Sequence, residues 1–150
     1  MHTFISYFVF LPLLGFVISF LLPRQHEKVI ATNVLATFGI QLAALVGFTF
    51  VWILNGHKPL LTDRFTLFES AHFTFFLNFY FDNITAVFML IGSFLSLLVA
   101  SYSRVYLHRE DGYKRYFTTI LFFFLGYSIV VLFGNLETLF VGWEILGVTS

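Results

Sequence analysis

The sequence predicts an all-α membrane protein with four complete transmembrane helices, a truncated fifth, and a short β-hairpin between helices 2 and 3. Three observations carry that fold class. Of the 150 residues, 59% are hydrophobic and 11% charged, and the mean hydropathy is +0.89, outside the range of soluble domains. The 23 Phe residues suit a lipid-facing helix surface better than an aqueous core. Apolar runs of about 20 residues recur along the chain, each long enough at 1.5 Å per residue to cross a hydrocarbon core of roughly 30 Å.

The first run covers residues 3–22 and contains Pro12, a kink that membrane helices tolerate. It reads as retained: Met1-His2 lacks the basic character of a signal peptide, and Pro23-Arg24 follows in place of small residues. The second, 29–54, is longer than a span requires and is expected to tilt or to extend beyond the lipid. The third covers 83–106 and the fourth 116–134. After a turn at Gly134-Asn135-Leu136, a fifth run, 137–150, is still in progress at Ser150. About 13 residues of helix reach only about 20 Å, so residues 1–150 read as a single N-terminal transmembrane segment of a larger subunit.

Between the second and third runs the pattern changes. Phe73, Phe75, Leu77, Phe79 and Phe81 alternate with His72, Thr74, Phe76, Asn78 and Tyr80, a period of two that predicts strand. Arg64–Phe68 supplies a partner and Glu69-Ser70-Ala71 a turn. A surface hairpin over about 62–81 follows, with helix the rival reading for its last few residues, and its expected role is a lid or clamp on neighbouring helices.

The cations set an orientation. Arg24 and Lys28 lie in the first connection, and Arg104, Arg109, Lys114 and Arg115 crowd the third, whereas the longer second connection has only Lys58 and Arg64. The positive-inside rule puts the first and third connections in the cytoplasm, and the N-terminus and hairpin outside.

Other chemistry is not encoded. There is no Cys, which excludes disulfides and thiolate metal sites in these residues. No dinucleotide or phosphate-loop glycine motif and no nucleophile elbow is present, so no cofactor is expected. His2, His26, His57, His72 and His108 have no ligand-like spacing and read as interfacial polar contacts, with no metal site. The formal net charge is zero, which gives no sign of a nucleic-acid partner. Ser101, Ser103, Thr118 and Thr119 read as helix-packing hydroxyls. Asp82 and Glu137 stand at helix starts, where capping and the helix dipole favour a carboxylate.

Glu144 is different. It is an acid inside the apolar run 137–150, and its helical neighbours Phe140, Val141, Gly147 and Val148 are uncharged. A charge at the centre of a membrane helix costs roughly 2.5–3.5 kcal/mol on insertion scales, so such residues face protein or a water path and mark proton or ion handling. Every Lys and Arg lies in a loop or at a helix end, so Glu144 is expected either to be protonated for much of the time or to take its counter-charge from other sequence or another subunit. Gly142 and Gly147 would allow close approach of a helix or water.

These residues also carry a resemblance. Phe81-Asp82-Asn83-Ile84-Thr85, Ala100-Ser101-Tyr102, the loop Glu110-Asp111-Gly112-Tyr113-Lys114-Arg115-Tyr116-Phe117, Asn135-Leu136 and Gly142-Trp143-Glu144-Ile145-Leu146-Gly147 resemble the start of one family. It is the antiporter-like subunit 5, or L-type chain, of proton-pumping NADH:quinone oxidoreductase (respiratory complex I), whose superfamily includes the Mrp-type Na⁺/H⁺ antiporter large subunit and the membrane partner of an inorganic-carbon pump. The resemblance implies that Glu144 is the Trp-flanked glutamate that pairs with a lysine two helices later and transfers protons. It further implies an outer hairpin between helices 2 and 3 and an outward N-terminus. The resulting expectation is a translocase subunit without a redox centre, contributing part of a proton path through a buried glutamate. Other membrane subunits of a respiratory or antiporter complex and the lipid bilayer would be its partners, and a bacterial inner membrane its location. The alternatives are an antiporter or carbon-pump subunit, or a non-conducting structural fragment.

Overall fold

In a computed structural model of the chain, four helices among the described residues are long and apolar enough to cross a bilayer: α1 (His2–Leu21), α2 (Glu27–Leu54), α3 (Asn83–Tyr106) and α4 (Tyr113–Leu132). A shorter α5 (Leu136–Thr149) follows them. Together with the hairpin between α2 and α3, this is the fold class the sequence predicts. The structure describes residues 2–56, 58–61, 65–70, 73–108 and 110–150. The protein is an integral membrane protein.

α1 packs on α2 and α4, α2 packs on α3, and α5 lies against α4. Two apolar clusters fill the bundle, one near each end. At the end carrying the first and third connections, Ile30, Val34 and Phe38 of α2 meet Phe117, Leu121 and Phe124 of α4. At the hairpin end, Ile5 and Phe8 of α1 meet Leu45 and Trp52 of α2, Met89 of α3 and Leu132 of α4. The outward faces remain apolar, with Phe4, Phe20, Phe50, Ile84 and Phe94 all more than half exposed, as lipid requires.

In lipid every backbone polar group needs a partner, and Pro12 leaves one without. Having no N–H, it cannot bond the Phe8 carbonyl four residues earlier. The amide of Gln41, fully buried on α2, donates Nε2–H to that oxygen at 3.0 Å. Two turns on, Asn33 Nδ2 donates to Gly15 O at 2.9 Å. Gly15 permits this approach, because a Cβ there would stand 2.5 Å from Thr37 Oγ1. α4 is tied to its neighbours similarly: Tyr127 Oη donates to Phe88 O of α3 at 2.6 Å, and Ser103 and Tyr116 hydroxyls lie 2.8 Å apart. Ser19 and Thr118 face each other between α1 and α4 at 3.4 Å. Ser101 instead bonds Leu97 O within its own helix.

The hairpin is built as two short antiparallel ladders. β1 (Leu60–Leu61) pairs with β4 (Tyr80–Phe81) at its base, and β2 (Phe65–Ser70) pairs with β3 (Phe73–Leu77) further out. The register shifts between Thr66 and Phe68. Glu69 and Ser70, expected to turn the chain, belong to β2, paired with Thr74 and Phe73. Extended pairing thus carries the strand past its polar residues, and Ala71 lies outside the described residues. Phe81 anchors the base, fully buried with its ring edge-on to Phe48 and Trp52 at 5.0 and 5.3 Å. Trp52 Nε1 also donates to Lys58 O at 2.8 Å, holding the end of α2 to the hairpin.

Helix boundaries differ by up to a turn from those expected. α4 begins at Tyr113 instead of 116, because Lys114 can sit in the first helical turn and still reach outward, donating Nζ–H to Phe20 O at 2.8 Å. It stops at Leu132 instead of 134, because Phe133 turns extended (φ −89°, ψ 140°) to bridge Phe79. Asp82 caps α3 as predicted, its carboxylate accepting from Thr85 N–H at 2.8 Å.

Candidate functional site

The candidate site is the α5 face that carries Glu144, and the hairpin positions that helix. Gly134 N–H donates to Asn78 O at 3.1 Å, and Asn135 Nδ2 donates to Phe76 O at 2.6 Å. The rings of Phe79 and Phe133 lie 4.5 Å apart. These contacts hold the α4–α5 turn against the hairpin, the clamp role foreseen for it. Asn135 is the N-cap of α5, but with its Nδ2 turned to the hairpin the side chain makes no cap bond. Glu137 stands exposed in the first turn, where a carboxylate complements the helix dipole.

α4 fixes the rotation of α5. Thr138 and Gly142 are the buried residues of the helix. A Cβ on Gly142 would lie 3.0 Å from Gly126 O, and a Cβ on Gly126 would lie 3.1 Å from Gly142 O. The two backbones therefore meet at a contact that only glycine fits. At about 100° per residue, Glu144 is displaced by roughly 200° from Gly142 and points away from α4.

Glu144 is accordingly exposed, on a face shared with Leu136 (80% exposed), Phe140 (54%), Trp143 (62%) and Val148 (81%). These residues do not enclose it, because glycine packing commits the opposite face of α5 to α4. Gly147 is likewise open, with nothing within 4 Å of a Cβ built there, so of the two flanking glycines only Gly142 receives a helix. Glu144 lies eight residues into α5, about 12 Å along the helix from its start.

The cations lie elsewhere. Arg24, Lys114 and Arg115 gather at the far end of the bundle around the α1–α2 and α3–α4 connections. A side-chain contact joins His108 Nδ1 to Glu27 Oε2 at 3.1 Å, tying the α3–α4 connection to the start of α2. His108 thus makes the interfacial polar contact expected of it. Among the described residues no three His, Cys, Asp or Glu side chains come together as a metal site would require.

Sequence reasoning missed Gln41 and Asn33, the amides that bond α1 carbonyls. The signal was present in a lone amide in an apolar run and a proline on the preceding helix. Pairing them required the fold, which brings residues 33 apart in sequence into contact.

Residues 67–117 match the family described as NADH-Ubiquinone oxidoreductase (complex I), chain 5 N-terminus. The chain is also similar to NADH-quinone oxidoreductase subunit L of Neisseria meningitidis serogroup A, 29% identical over 93% of this chain and 21% of that protein. With subunit L of Escherichia coli K12 it shares 27% identity over 95% of this chain and 23% of that protein. With NADH-ubiquinone oxidoreductase chain 5 of Hypocrea jecorina it shares 30% identity over 95% of this chain and 20% of that protein. The chain thus spans about a fifth of the length of the curated relatives it matches.

Proposed function

We propose that this chain, a relative of the N-terminal part of the antiporter-like chain 5 of complex I, contributes Glu144 to a proton path in the membrane arm of an NADH:quinone oxidoreductase. The observation that carries the reading is an acid about 12 Å along an apolar helix, on a face that these residues leave open. A lone carboxylate there needs a partner. The open face is the route by which a cation on another helix, or water, reaches it. As that cation approaches and withdraws, Glu144 releases and takes up a proton. Its proposed part is translocation, driven by redox chemistry in other subunits. Membrane subunits of the same complex are its partners. The complex I names of the relatives above favour this setting over an Mrp-type antiporter or a carbon pump.

The reading is tested by proton uptake into vesicles driven by the parent complex, at matched subunit levels. Glu144→Gln keeps the shape of the side chain and removes the titrating proton, and uptake is expected to fall about tenfold or more. Glu144→Asp, which retains the acid, should be milder, and Glu137→Gln should have little effect. Wild-type pumping by Glu144→Gln would make Glu144 a packing residue and the chain a scaffold.

The charge distribution supports an N-terminus outside, with the hairpin on the same side. The subunit L relatives of two bacteria support placement in a bacterial inner membrane. Single cysteines at Ser70 and Asp111 should then react with an impermeant reagent from opposite sides of intact vesicles. Equal labelling would reject the orientation.

A further inference from the structure

At the end of the bundle opposite the hairpin, the end of α1, the start of α4 and the connections beside them line an open cavity of about 580 Å³. Its walls include Phe20, Arg24, Asp111, Lys114, Arg115 and Thr118. The three cations outnumber the one carboxylate, leaving a net excess of two positive charges at a place where the proton path has no use for them.

The geometry concentrates that charge. Lys114 Nζ is held by its bond to Phe20 O at 2.8 Å and has two further N–H groups to offer. The guanidinium-bearing residues Arg24 and Arg115 are exposed, and Thr118 is half-buried beneath them. α4 starts here, with Gly112 as an N-cap that supplies no side-chain acceptor, so the positive end of a 20-residue helix adds to the field. The depth is equally specific. Arg24, Lys114 and Arg115 lie where the spans leave the membrane, and Phe20 directly below is 63% exposed on the apolar face of α1. Cations above an apolar wall match a group with a negative head and hydrocarbon tails.

We propose that this cavity binds a phosphate group, supplied in the membrane by the phosphodiester headgroup of an anionic phospholipid. Arg24 and Arg115 would pair with the phosphate oxygens, Arg offering planar bidentate donation. Lys114 would add a point charge, and the acyl chains would lie along Phe20 and Val17. The bound lipid would link α1 to α4 at the interface, independently of any role of Glu144.

The test uses the membrane assembly that contains this chain, reconstituted with a photoactivatable phosphatidylglycerol and, separately, its phosphatidylcholine counterpart. Crosslinks are mapped by mass spectrometry. The phosphatidylglycerol probe is expected to label peptides from the end of α1 and the start of α4, and the phosphatidylcholine probe to label them weakly. Arg115→Gln should reduce labelling about fivefold, and Arg24→Gln with Arg115→Gln further, at about fivefold per cation near a membrane surface. Lys28→Gln, a cation on the same side but outside the cavity, should leave it unchanged. Both Arg variants leave the Lys114–Phe20 bond intact, so loss of labelling is not loss of the α1–α4 contact. Competition by millimolar inorganic phosphate would support the phosphate site with a free anion as its source, whereas failure to compete supports the lipid. Undiminished labelling in the double variant, or an equal loss in Lys28→Gln, would overturn the site in favour of diffuse surface attraction.

Discussion

Two helix seams cross the same membrane and are closed by different chemistry. Between α1 and α2, side-chain amides reach across to backbone carbonyls, Gln41 to Phe8 O at 3.0 Å and Asn33 to Gly15 O at 2.9 Å. Between α4 and α5, Gly126 and Gly142 bring backbone against backbone. Lipid tails are as apolar as the helices they surround, so burial of apolar surface gives little drive for association. Hydrogen bonds and close van der Waals packing remain, and each seam uses one of them. The difference lies in what each seam leaves free. The amide seam repairs a break in α1 and has no consequence for a functional group. The glycine seam has no polar group to satisfy, but it fixes the rotation of α5 and so turns Glu144 outward.

The largest effect is expected at the glycine seam. Gly142→Val places side-chain atoms where Ile129 and Val130 methyls lie 2.8 and 2.9 Å from the Cβ position. Overpacking of this kind costs about 1–3 kcal/mol, here at the upper end because a backbone oxygen that cannot rotate away is also in contact. α5 should separate from α4 or rotate, taking Glu144 with it. Proton uptake by the assembly should fall at least as far as in Glu144→Gln, accompanied by a lower midpoint in denaturation from detergent micelles, which Glu144→Gln should not show. Unchanged stability and pumping would mean that the glycine contact does not set the position of Glu144.

An intermediate effect is expected at the amide seam, and it separates repair from ordinary packing. Gln41→Leu removes the donor to Phe8 O. It also removes a buried Oε1 that has no partner among the described residues, so the two consequences partly offset. Hydrogen bonds between membrane helices are worth about 0.6 kcal/mol on average and up to about 1.7, and a loss of about 1 kcal/mol is expected. The sharper measurement is a double-mutant cycle with Pro12→Ala. Alanine restores an N–H at position 12, giving Phe8 O a partner within its own helix, so Gln41→Leu should cost less in that background. Additive losses would mean that Gln41 packs without repairing the proline gap.

Much of the fold was legible because its signals are local. Hydropathy marks the spans, and the alternation from Phe73 to Phe81 marks the hairpin. Asp82 announced its capping role by position, and α3 begins and ends where the apolar run does. The start of α4 was misplaced because its cations sit within the helix and reach outward along it, which composition alone reads as loop. Glu144 was legible as an acid in an apolar run, but its direction was not. Which side of α5 meets α4 depends on Gly126 and Gly142 facing one another, a pairing between residues on different helices that no period along α5 displays. The phosphate cavity is similarly scattered, with Arg24 and Lys114 brought together only when α1 lies beside α4.

The smallest effect is expected at Gly147, and it bears directly on what covers the open face. Within these residues a Cβ at Gly147 meets nothing within 4 Å, so Gly147→Ala introduces no clash. Alanine is favoured over glycine inside a helix by roughly 0.5–1 kcal/mol because it restricts the unfolded chain. If Gly147 faces lipid or water, Gly147→Ala should slightly raise the denaturation midpoint and leave proton uptake unchanged. A helix seated closely on the Glu144 face would reverse that sign, since the added methyl would meet it as one at Gly142 would meet α4. Paired measurements of stability and uptake on Gly147→Ala and Gly142→Ala therefore compare the two faces of α5 with the same single atom. Loss at Gly142 alone indicates that Glu144 opens onto lipid, water or loosely packed protein. Loss at both indicates that a second helix meets α5 at glycine, one turn below the acid and on its side.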